Sequence, residues 1–498
     1  LEDPIMPPAS PSPAAPHPVT EQILARFAEV SAHPRRSKHE AALRDWLIAW
    51  ATDHGFAHRT DATGNLVIAV PASPGAEAAP TVVIQGHMDM VCEKVQGSTH
   101  DFSRDPIIPV RDGDWLTAPE TSLGADNGIA IAMAMVLATS DVPHPPLELL
   151  FTVDEETGMT GALGLDPALV TGRVLINIDS EDEGVLTVGC AGGVETEIRL
   201  PLDTAERSPQ ATTVRVVATG MTGGHSGVDI HHQRANAIRV LVRALDLLVD
   251  EHPGLRLLDI RGGTAHNAIP RHAEADLRVP VEAVDALSDR LARFQADVQA
   301  EFRHTDPGLS LRLEPVDDGA ARPWTAAATR RAIDLLLAIP HGVAAMSADV
   351  DGLVETSNNE AQVRRDGDDL VLLSSQRSNV PSRLEALTRR IEALGRLAGG
   401  RPHTGQGYPP WPPNMDSPLL ARCRRIYKER FGREPVVEII HAGLECGLIG
   451  DRIPGMDMIS IGPTIRSPHS PDERLLIPTV GKVWDLLVAI LAELAAER

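Results

Sequence analysis

The chain has 498 residues and a formal net charge of −23 at neutral pH. This length is too great for a single hydrophobic core, so we expect two domains. The acidity argues against nucleic-acid phosphates or anionic membranes as partners. The four cysteines, Cys92, Cys190, Cys423 and Cys446, are widely spaced, which argues against a disulfide framework or a zinc ribbon and favours a cytoplasmic location.

The N-terminal segment, residues 1–18, contains seven prolines and has no positively charged region ahead of an apolar run. We interpret it as a disordered leader and not as a signal peptide. No window of the chain reaches the roughly 18 consecutive apolar residues of a membrane span, so none is predicted.

Two amphipathic helices are predicted between residues 19 and 55, and a strand is predicted over Asn65–Val70. The next apolar run, Thr81–Val91, reads as a buried strand that presents His87 and Asp89 at its end. His87 could ligate zinc while Asp89 accepts its other ring N–H, or the two side chains could simply satisfy each other. The alternation predicts a mixed sheet flanked by helices.

Further carboxylates, like Asp89, are predicted at the ends of strands or at the start of a helix. Asp126 lies at the start of an apolar helix, and Asp179 follows a strand over Val174–Ile178. Glu155 and Glu156 belong to the triplet that ends a strand over Leu147–Val153. Taken singly, Asp126 could be a helix N-cap and the triplet a solvated loop. Such positions are where open α/β sheets bind ligands, so their recurrence favours one shared site.

From residue 193 to residue 407 strands alternate with long amphipathic helices, and the strands do not end in acidic residues. This pattern predicts a separate α/β domain inserted into the first. Its predicted strands cover residues 213–217, 256–260 and 370–374, and its predicted helices cover residues 235–251, 281–302, 326–337 and 384–398.

A loop over His403–Pro413, rich in Pro and Gly, is typical of a hinge before the chain returns to the first domain. A helix over Pro418–Arg430, strands over Val436–Ile440 and Met458–Ile461, and a final helix over Val480–Leu494 are expected there. His469 lies between two prolines in a polar loop, where a surface histidine is the simplest interpretation.

The collected side chains fit a two-metal centre. Two ions about 3.5–4 Å apart can activate a water and hold a carbonyl oxygen. We assign His87 and Asp179 to one ion, Glu156 and His469 to the other, and Asp126 as the bridge. Glu155 is then the general base and Asp89 orients His87. Mixed nitrogen and oxygen ligands favour zinc, with cobalt or manganese as substitutes.

Six motifs resemble those of the aminoacyl-histidine (Xaa-His) dipeptidases, which belong to the co-catalytic zinc peptidases together with carboxypeptidases, aminoacylases and tripeptidases. The motifs span residues 86–91, 123–128, 154–158, 177–181, 224–227 and 469–473. The resemblance implies a mixed-sheet α/β catalytic domain over residues 19–192 and 408–498, split by an inserted α/β lid domain over residues 193–407. It implies the same five metal ligands and the same two catalytic carboxylates.

The resemblance also implies roles for the lid. His225 is similar to the lid histidine that contacts the scissile carbonyl oxygen, and Asn267 and Arg377 are similar to groups that hold the substrate carboxylate. A turn residue and a surface ion pair are the simpler interpretations of Asn267 and Arg377. Glu445 could meet the substrate ammonium or cap a turn. A homodimer formed through the lid is a further expectation.

The expected reaction is hydrolysis of unblocked dipeptides such as carnosine. Two alternatives remain open: an aminoacylase or tripeptidase with the same metal centre, and a protein that binds metal without catalysis. The second is disfavoured because Glu155 and every ligand are present.

Overall fold

A computed structural model of the protein describes residues 17–317, 321–348, 350 and 352–497. Apart from its last two positions, the predicted leader lies outside these residues. In chain order, helices α1 to α12 span Thr20–Ser31, Ala41–Asp53, Ala125–Ala138, Glu155–Gly158, Thr160–Leu163, Ala237–Glu251, Val284–Glu301, Ala326–Ala338, Pro381–Leu397, Pro418–Phe431, Glu445–Arg452 and Ile477–Ala495.

The strands of the described residues are numbered in the same way. In chain order, β1 to β23 span Ala57–Thr60, Leu66–Val70, Val82–His87, Val110–Asp112, Trp115–Thr117, Leu147–Thr152, Val174–Asn177, Val185–Cys190, Gly192–Pro201, Ala211–Thr219, Gly224–His225, Arg256–Gly262, Ala268–Ile269, Ala273–Pro280, Ser310–Pro315, Gly342–Met346, Val354–Asp366, Asp369–Ser378, Arg401–Thr404, Val436–Ile440, Asp457–Ser460, Ile465–Arg466 and Arg474–Leu476.

The described chain forms two compact units. The first contains residues 17–188, 413–438 and 448–497, and the second contains residues 189–412 and 439–447. The sequence interpretation kept residues 439–447 with the C-terminal part of the catalytic domain, whereas the structure groups this short segment with the second unit. Glu445 therefore belongs to the second unit.

The first unit is built on an eight-stranded mixed sheet with the order β1-β2-β6-β3-β7-β21-β8-β20. The four central strands, β6, β3, β7 and β21, are parallel to their neighbours in this group. Their β-branched and leucine-rich sequences are buried almost throughout, as expected for parallel strands covered on both faces. Because these strands are parallel, their carboxyl ends lie at the same edge of the sheet.

The second unit is built on an antiparallel sheet with the order β15-β10-β14-β12-β17-β18-β9-β19, and β16 also pairs with β17. Its apolar face forms a core with helices α6 to α9. The sequence analysis did not predict β17, which is 13 residues long. It begins with Val354 and continues through Ser357, Asn358, Asn359 and Glu360, and asparagine is depleted in strands. These polar residues are nevertheless buried.

Among the described residues, none of the helices combines the length and the apolar character that crossing a membrane requires.

Candidate dinuclear metal centre

Three neighbouring parallel strands of the first unit bring ligand-bearing residues to one edge of the sheet. His87 ends β3 and pairs with Thr152 at the end of β6, while Gln85 pairs with Asn177 at the end of β7. Glu156 therefore follows one flanking strand by a few residues, and Asp179 follows the other. The parallel register explains why residues that are far apart in sequence meet at this edge.

Asp126 lies between two imidazoles. Its Oδ1 is 3.0 Å from His87 Nε2, and its Oδ2 is 3.2 Å from His469 Nε2. His87 Nε2 is also 3.4 Å from Asp179 Oδ1, and His469 Nε2 is 3.0 Å from Glu156 Oε2. Each oxygen of Asp126 thus faces one imidazole and carboxylate pair, which is the arrangement expected of a bridging ligand. The backbone of Asp126 is non-helical, with φ −81° and ψ 107°, and both of its carboxylate oxygens face imidazoles.

The donor set fits divalent cations. One ligand atom each from His87, Asp126 and Glu156 lies within 4.8 Å of the others. In the described part of the chain, Glu156 Oε1 and Asp179 Oδ1 are buried and make no hydrogen bond. A buried carboxylate oxygen without a donor is costly, and a cation would satisfy it. Imidazole nitrogen together with carboxylate oxygen suits zinc and its neighbours in the first transition row.

The electrostatics of this cluster favour a cation. Burial by itself lowers the pKa of His469, but Asp126 and Glu156 outweigh burial and raise that pKa to about 11. Burial raises the pKa of Asp179 to about 6, against the opposing effect of His87. Packed carboxylates repel one another unless a cation separates them. The acidic residues around the imidazoles thus favour positive charge at this position.

Asp89 contacts both the His87 ring and the backbone of the segment that carries Glu155 and Glu156. Its Oδ1 is 3.3 Å from His87 Nδ1, and its carboxylate accepts hydrogen bonds from Ser37 Oγ at 2.8 Å and from the backbone N–H of Glu155 at 3.0 Å. Burial raises the pKa of Asp89, but His87 and these donors lower it more, so the carboxylate is ionised. An ionised carboxylate beside Nδ1 of a histidine favours the tautomer with its proton on Nδ1 and leaves Nε2 as the ligand atom.

The acidic triplet is not a solvated loop. Asp154 is 1% exposed and accepts hydrogen bonds from the hydroxyls of Thr157 and Thr160, so it stabilises the turn itself. The Glu156 side chain is 3% exposed and faces His469. Glu155 begins helix α4, between these two residues. The three carboxylates therefore have different surroundings, although they are consecutive in sequence.

A second group of site candidates lies together within the second unit. Strand β11 pairs with β13 so that His225 is opposite Ala268, next to Asn267, whose carbonyl accepts the N–H of Ser226 at 2.7 Å. The backbone N–H groups of Gly227 and Val228 both donate to His225 Nδ1, at 3.3 and 3.1 Å. Because Nδ1 is an acceptor, the neutral ring carries its proton on Nε2.

Arg377 lies on β18, opposite Ser357 of β17, and its Nη1 donates to the Tyr408 hydroxyl at 2.7 Å. It is 6% exposed, so it is not a surface residue as the simpler interpretation had it. Ser357 Oγ is 2.7 Å from His441 Nε2. Burial, followed by the charges of Arg377 and His225, lowers the pKa of His441 to about 3, so this ring is neutral. Glu445 is fully buried at the start of α11.

Comparison with known proteins identifies the family. The chain is 41% identical over 472 residues to the cytosol non-specific dipeptidase of Escherichia coli (strain K12), covering 95% of this chain and 97% of that relative. The chain belongs to the aminoacylhistidine dipeptidase family of M20 peptidases. The crystal structure of aminoacylhistidine dipeptidase from Vibrio alginolyticus has 39% identity and a TM-score of 0.83, and the match covers 96% of this chain and 97% of that one.

Two further matches concern parts of this M20 peptidase. Residues 217–306 match the model of the peptidase dimerisation domain, which falls within the second unit. The crystal structure of human carnosine dipeptidase 1 shares the fold, with a TM-score of 0.52 at 12% identity over 96% of this chain and 97% of that one. The predicted fold class, a mixed-sheet α/β peptidase with an inserted α/β domain, is confirmed.

The structure places the predicted residues of this family member in two groups. The five proposed ligands, Asp89 and Glu155 lie together in the first unit, whereas His225, Asn267, Arg377 and Glu445 lie in the second. The sequence analysis missed three supporting residues: Arg35, Ser37 and Glu473. Glu473 belongs to a quoted motif, but no role was assigned to it. Arg35 and Ser37 lie in a short polar link between two helices, where nothing local distinguishes them.

Proposed function

We propose that the chain is a metal-dependent dipeptidase that hydrolyses unblocked dipeptides, with Xaa-His compounds among its substrates. The observation that carries the proposal is the position of Asp126, with one carboxylate oxygen toward His87 and the other toward His469. The relatives named above are dipeptidases, which supports the substrate class.

The proposed ligands are His87 and Asp179 for one ion, Glu156 and His469 for the other, and Asp126 for both. When bound, the two cations would supply Lewis-acid polarisation of a water and of the scissile carbonyl. Zinc is the proposed metal, because two imidazole nitrogens with carboxylate oxygens suit it, and cobalt or manganese could substitute.

Glu155 is proposed to take the proton of the attacking water and to deliver it to the leaving amine. Its backbone N–H is anchored on Asp89, so the same carboxylate orients the base and the His87 ring. A positioned general base typically contributes about 10²- to 10⁴-fold to the rate. Asp89 stays ionised and holds the His87 proton on Nδ1 throughout.

His225 is proposed as the donor to the developing oxyanion. The two backbone N–H groups at Nδ1 leave the Nε2–H as the donor of the neutral ring. Removing one such donor costs roughly 2.7–4 kcal/mol of transition-state stabilisation.

The remaining substrate groups are assigned to Asn267, Arg377 and Glu445. We propose that Asn267 and Arg377 bind the substrate carboxylate, since a guanidinium can hold a carboxylate with two parallel hydrogen bonds. The hydrogen bond from Arg377 Nη1 to the Tyr408 hydroxyl helps to keep Arg377 in one orientation. Glu445 is proposed to meet the free ammonium. A cytoplasmic location and a homodimer formed through the second unit complete the proposal, the latter supported by the dimerisation-domain match.

The test compares Ala-His, N-acetyl-His and Ala-Ala-His as substrates of the zinc-loaded protein. We expect hydrolysis of Ala-His and little hydrolysis of the other two, because a site that fixes both termini selects ligand length. Preferred hydrolysis of N-acetyl-His would indicate an aminoacylase, and preferred hydrolysis of the tripeptide would indicate a tripeptidase.

A conservative change at Arg377 sharpens the test. Arg377→Lys keeps the charge but loses the planar fork, so we expect a raised KM for Ala-His and a smaller change in kcat. Equal KM values for the variant and the wild type would remove Arg377 from carboxylate binding. Arg389→Lys is the matched control, because Arg389 is a surface residue paired with Glu385 on helix α9.

A further inference from the structure

A fully buried arginine holds the turn that precedes Asp126. Arg35 is 2% exposed, and its Nη1 donates to the carbonyl oxygens of Met88 at 3.2 Å and Asp89 at 2.8 Å. Its Nη2 donates to the carbonyl oxygen of Gly124. One guanidinium therefore joins the end of strand β3, which carries His87, to the turn that carries Asp126.

A buried glutamate holds the same turn through its amides. Glu473 Oε2 accepts the backbone N–H groups of Leu123 and Gly124, each at 2.8 Å. Its Oε1 accepts those of Ala125 at 2.8 Å and Asp126 at 3.3 Å. Glu473 is 2% exposed and lies four residues after His469, in the loop between β22 and β23. It thereby ties the His469 loop to the Asp126 turn.

The glycines of the motif at residues 123–128 make room for this arrangement. A Cβ on Gly124 would lie 2.5 Å from Arg35 Nη2, and a Cβ on Gly128 would lie 2.6 Å from the same atom. Gly124 also has a φ of 68°, a left-handed conformation that glycine adopts without strain. The two glycines are therefore required by the close approach of Arg35 to the backbone.

We propose that Arg35 and Glu473 are positioning residues that hold Asp126 in register with both His87 and His469, so that the two metal ions bind cooperatively. The inference rests on the proposed metal centre and deepens it. Neither side chain is a ligand. Each one instead fixes the backbone of segments that carry ligands. Arg35 joins the end of β3, which carries His87, to the turn that carries Asp126. Glu473 joins that turn to the loop that carries His469.

The charges of the two residues suit this role. An arginine offers five N–H donors in a rigid fork, and a carboxylate offers two oxygens that can each accept more than one N–H. Burying such ions is costly unless they are hydrogen-bonded, so the contacts of Arg35 Nη1 and Nη2 and of the Glu473 carboxylate favour this one arrangement of the turn. Through these contacts, residues that hold one ion would also fix the backbone of the segments that carry the other ligands. A second ion would then meet ligands that are already held in place.

The test is a zinc titration of the metal-free protein, followed by calorimetry, together with the visible spectrum of the cobalt-loaded protein. We expect the wild type to bind two zinc ions cooperatively. Glu473→Gln replaces one acceptor oxygen by a donor that faces backbone N–H groups. We expect it to weaken binding of the second ion ten- to a hundredfold, the usual effect of losing a group that orients ligands. We also expect an altered cobalt spectrum.

Arg35→Lys carries the same expectation, because a single ammonium nitrogen cannot occupy the separate positions of Nη1 and Nη2, which donate to different segments. Glu148→Gln is the matched control. Glu148 is 3% exposed in the same unit and accepts the N–H groups of Thr171 at 2.8 Å and Gly172 at 3.0 Å. It pairs with Val83 near the start of β3, away from the ligand edge. This control should lose thermal stability and keep both zinc affinities.

Independent binding of two zinc ions by the wild type would overturn the proposal even if both variants fail to fold. Unchanged zinc affinities in a folded Glu473→Gln protein, or an equal loss of affinity in Glu148→Gln, would also overturn it. The titration contains no substrate, so its outcome is separate from the dipeptidase assay. A wild type that binds fewer than two ions would instead reject the metal centre itself.

Discussion

The two halves of the proposed metal centre are built from different kinds of structure. One half, His87 and Asp179, lies at the carboxyl ends of two adjacent parallel strands of the central sheet, and we call it the strand-borne half. The loop-borne half, Glu156 and His469, comes from a short turn and from the loop between β22 and β23. The His87 side chain is 1% exposed, whereas that of His469 is 51% exposed. Similar ligand types thus sit on supports of very different rigidity.

The backbone shows the same contrast. His469 and Ser467 have φ values of 57° and 54°, in the left-handed region that disfavours residues with a Cβ. Such a conformation costs roughly 1–2 kcal/mol per residue, so surrounding contacts must maintain it. His87 ends a strand that is paired with β6 as far as Thr152 and with β7 as far as Asn177. We therefore expect the strand-borne half to bind its ion first, and the loop-borne half to bind its ion once the first is held.

The largest effects should come from removing one imidazole from each half. Both His87→Ala and His469→Ala should lose nearly all dipeptide hydrolysis, because the reaction needs both ions. Elemental analysis after gel filtration should distinguish the two variants. His469→Ala should retain about one zinc per chain, and His87→Ala should retain less. Equal metal content in the two variants would show that the supports do not set the affinity.

The general base should give the next largest effect. Glu155→Gln should lower kcat about 10²- to 10⁴-fold, since the water proton then has no acceptor in place. Zinc content should remain at two per chain, because Glu155 is not a proposed ligand. Its neighbour supplies the matched comparison: Glu156→Gln should lose zinc from the loop-borne half. A Glu155→Gln protein with wild-type turnover would reject the assigned role.

A smaller effect on zinc affinity and turnover is expected from changing Asp89, which contacts the ring of His87. Asp89→Asn keeps the shape but can present an amide N–H to His87 Nδ1, which would turn the ring to the wrong tautomer. We expect a ten- to hundredfold loss of zinc affinity or of kcat/KM, the usual range for a group that orients a metal ligand. Ser37→Ala removes only one of the donors to Asp89 and should cost less. If Ser37→Ala cost as much as Asp89→Asn, hydration of the site and not the ring tautomer would be the controlling factor.

The same comparison explains how much could be predicted from the sequence. An apolar run that ends in His87 and Asp89 is a local signal, and the strand over Val82–His87 lies where the pattern predicted it. His469 gave no such signal, since a histidine between prolines is usually a surface residue. It was assigned to the site as one member of the collected ligand set, and a family motif agreed with that assignment. Its support depends on Glu473 and a turn some 350 residues earlier, a separation that no local pattern can reveal.

Buried polar residues were the other obstacle. Arg35 looks like a solvent-exposed residue in a link between helices, yet it is among the largest fully buried side chains of the protein. Strand β17 was missed for a similar reason, because Asn358, Asn359 and Glu360 suggest a loop when burial is unknown. Arg35 donates to a backbone carbonyl, Asn359 donates to the carbonyl oxygen of Ala268, and Asn358 accepts from the Ser374 hydroxyl, which makes the burial of these three residues tolerable. Periodicity predicts apolar burial well and polar burial poorly.

The smallest predicted effects come from adding a methyl group to a glycine near the ligands of each half, Gly86 near His87 and Gly158 near Glu156. A Cβ on Gly86 would lie 2.3 Å from Asn127 Oδ1 and 2.8 Å from Ala130 Cβ. Asn127 accepts the N–H of His87 at 3.2 Å and donates to the carbonyl oxygen of Ile178 at 2.7 Å, so it braces both strand-borne ligands. Gly86→Ala should therefore lower the free energy of unfolding by about 1–3 kcal/mol and weaken zinc binding at the strand-borne half.

Gly158 supplies the counterpart in the loop-borne half. A Cβ there would meet Thr160 Cγ2 at 3.4 Å and Asp154 Oδ2 at 3.7 Å, which are ordinary contacts. Gly158→Ala should leave both zinc affinities and the thermal midpoint nearly unchanged. If instead Gly158→Ala disturbed zinc binding as much as Gly86→Ala, the turn after β6 would be as tightly constrained as the strand ends. The difference in rigidity between the two halves would then have to come from His469 and its loop alone.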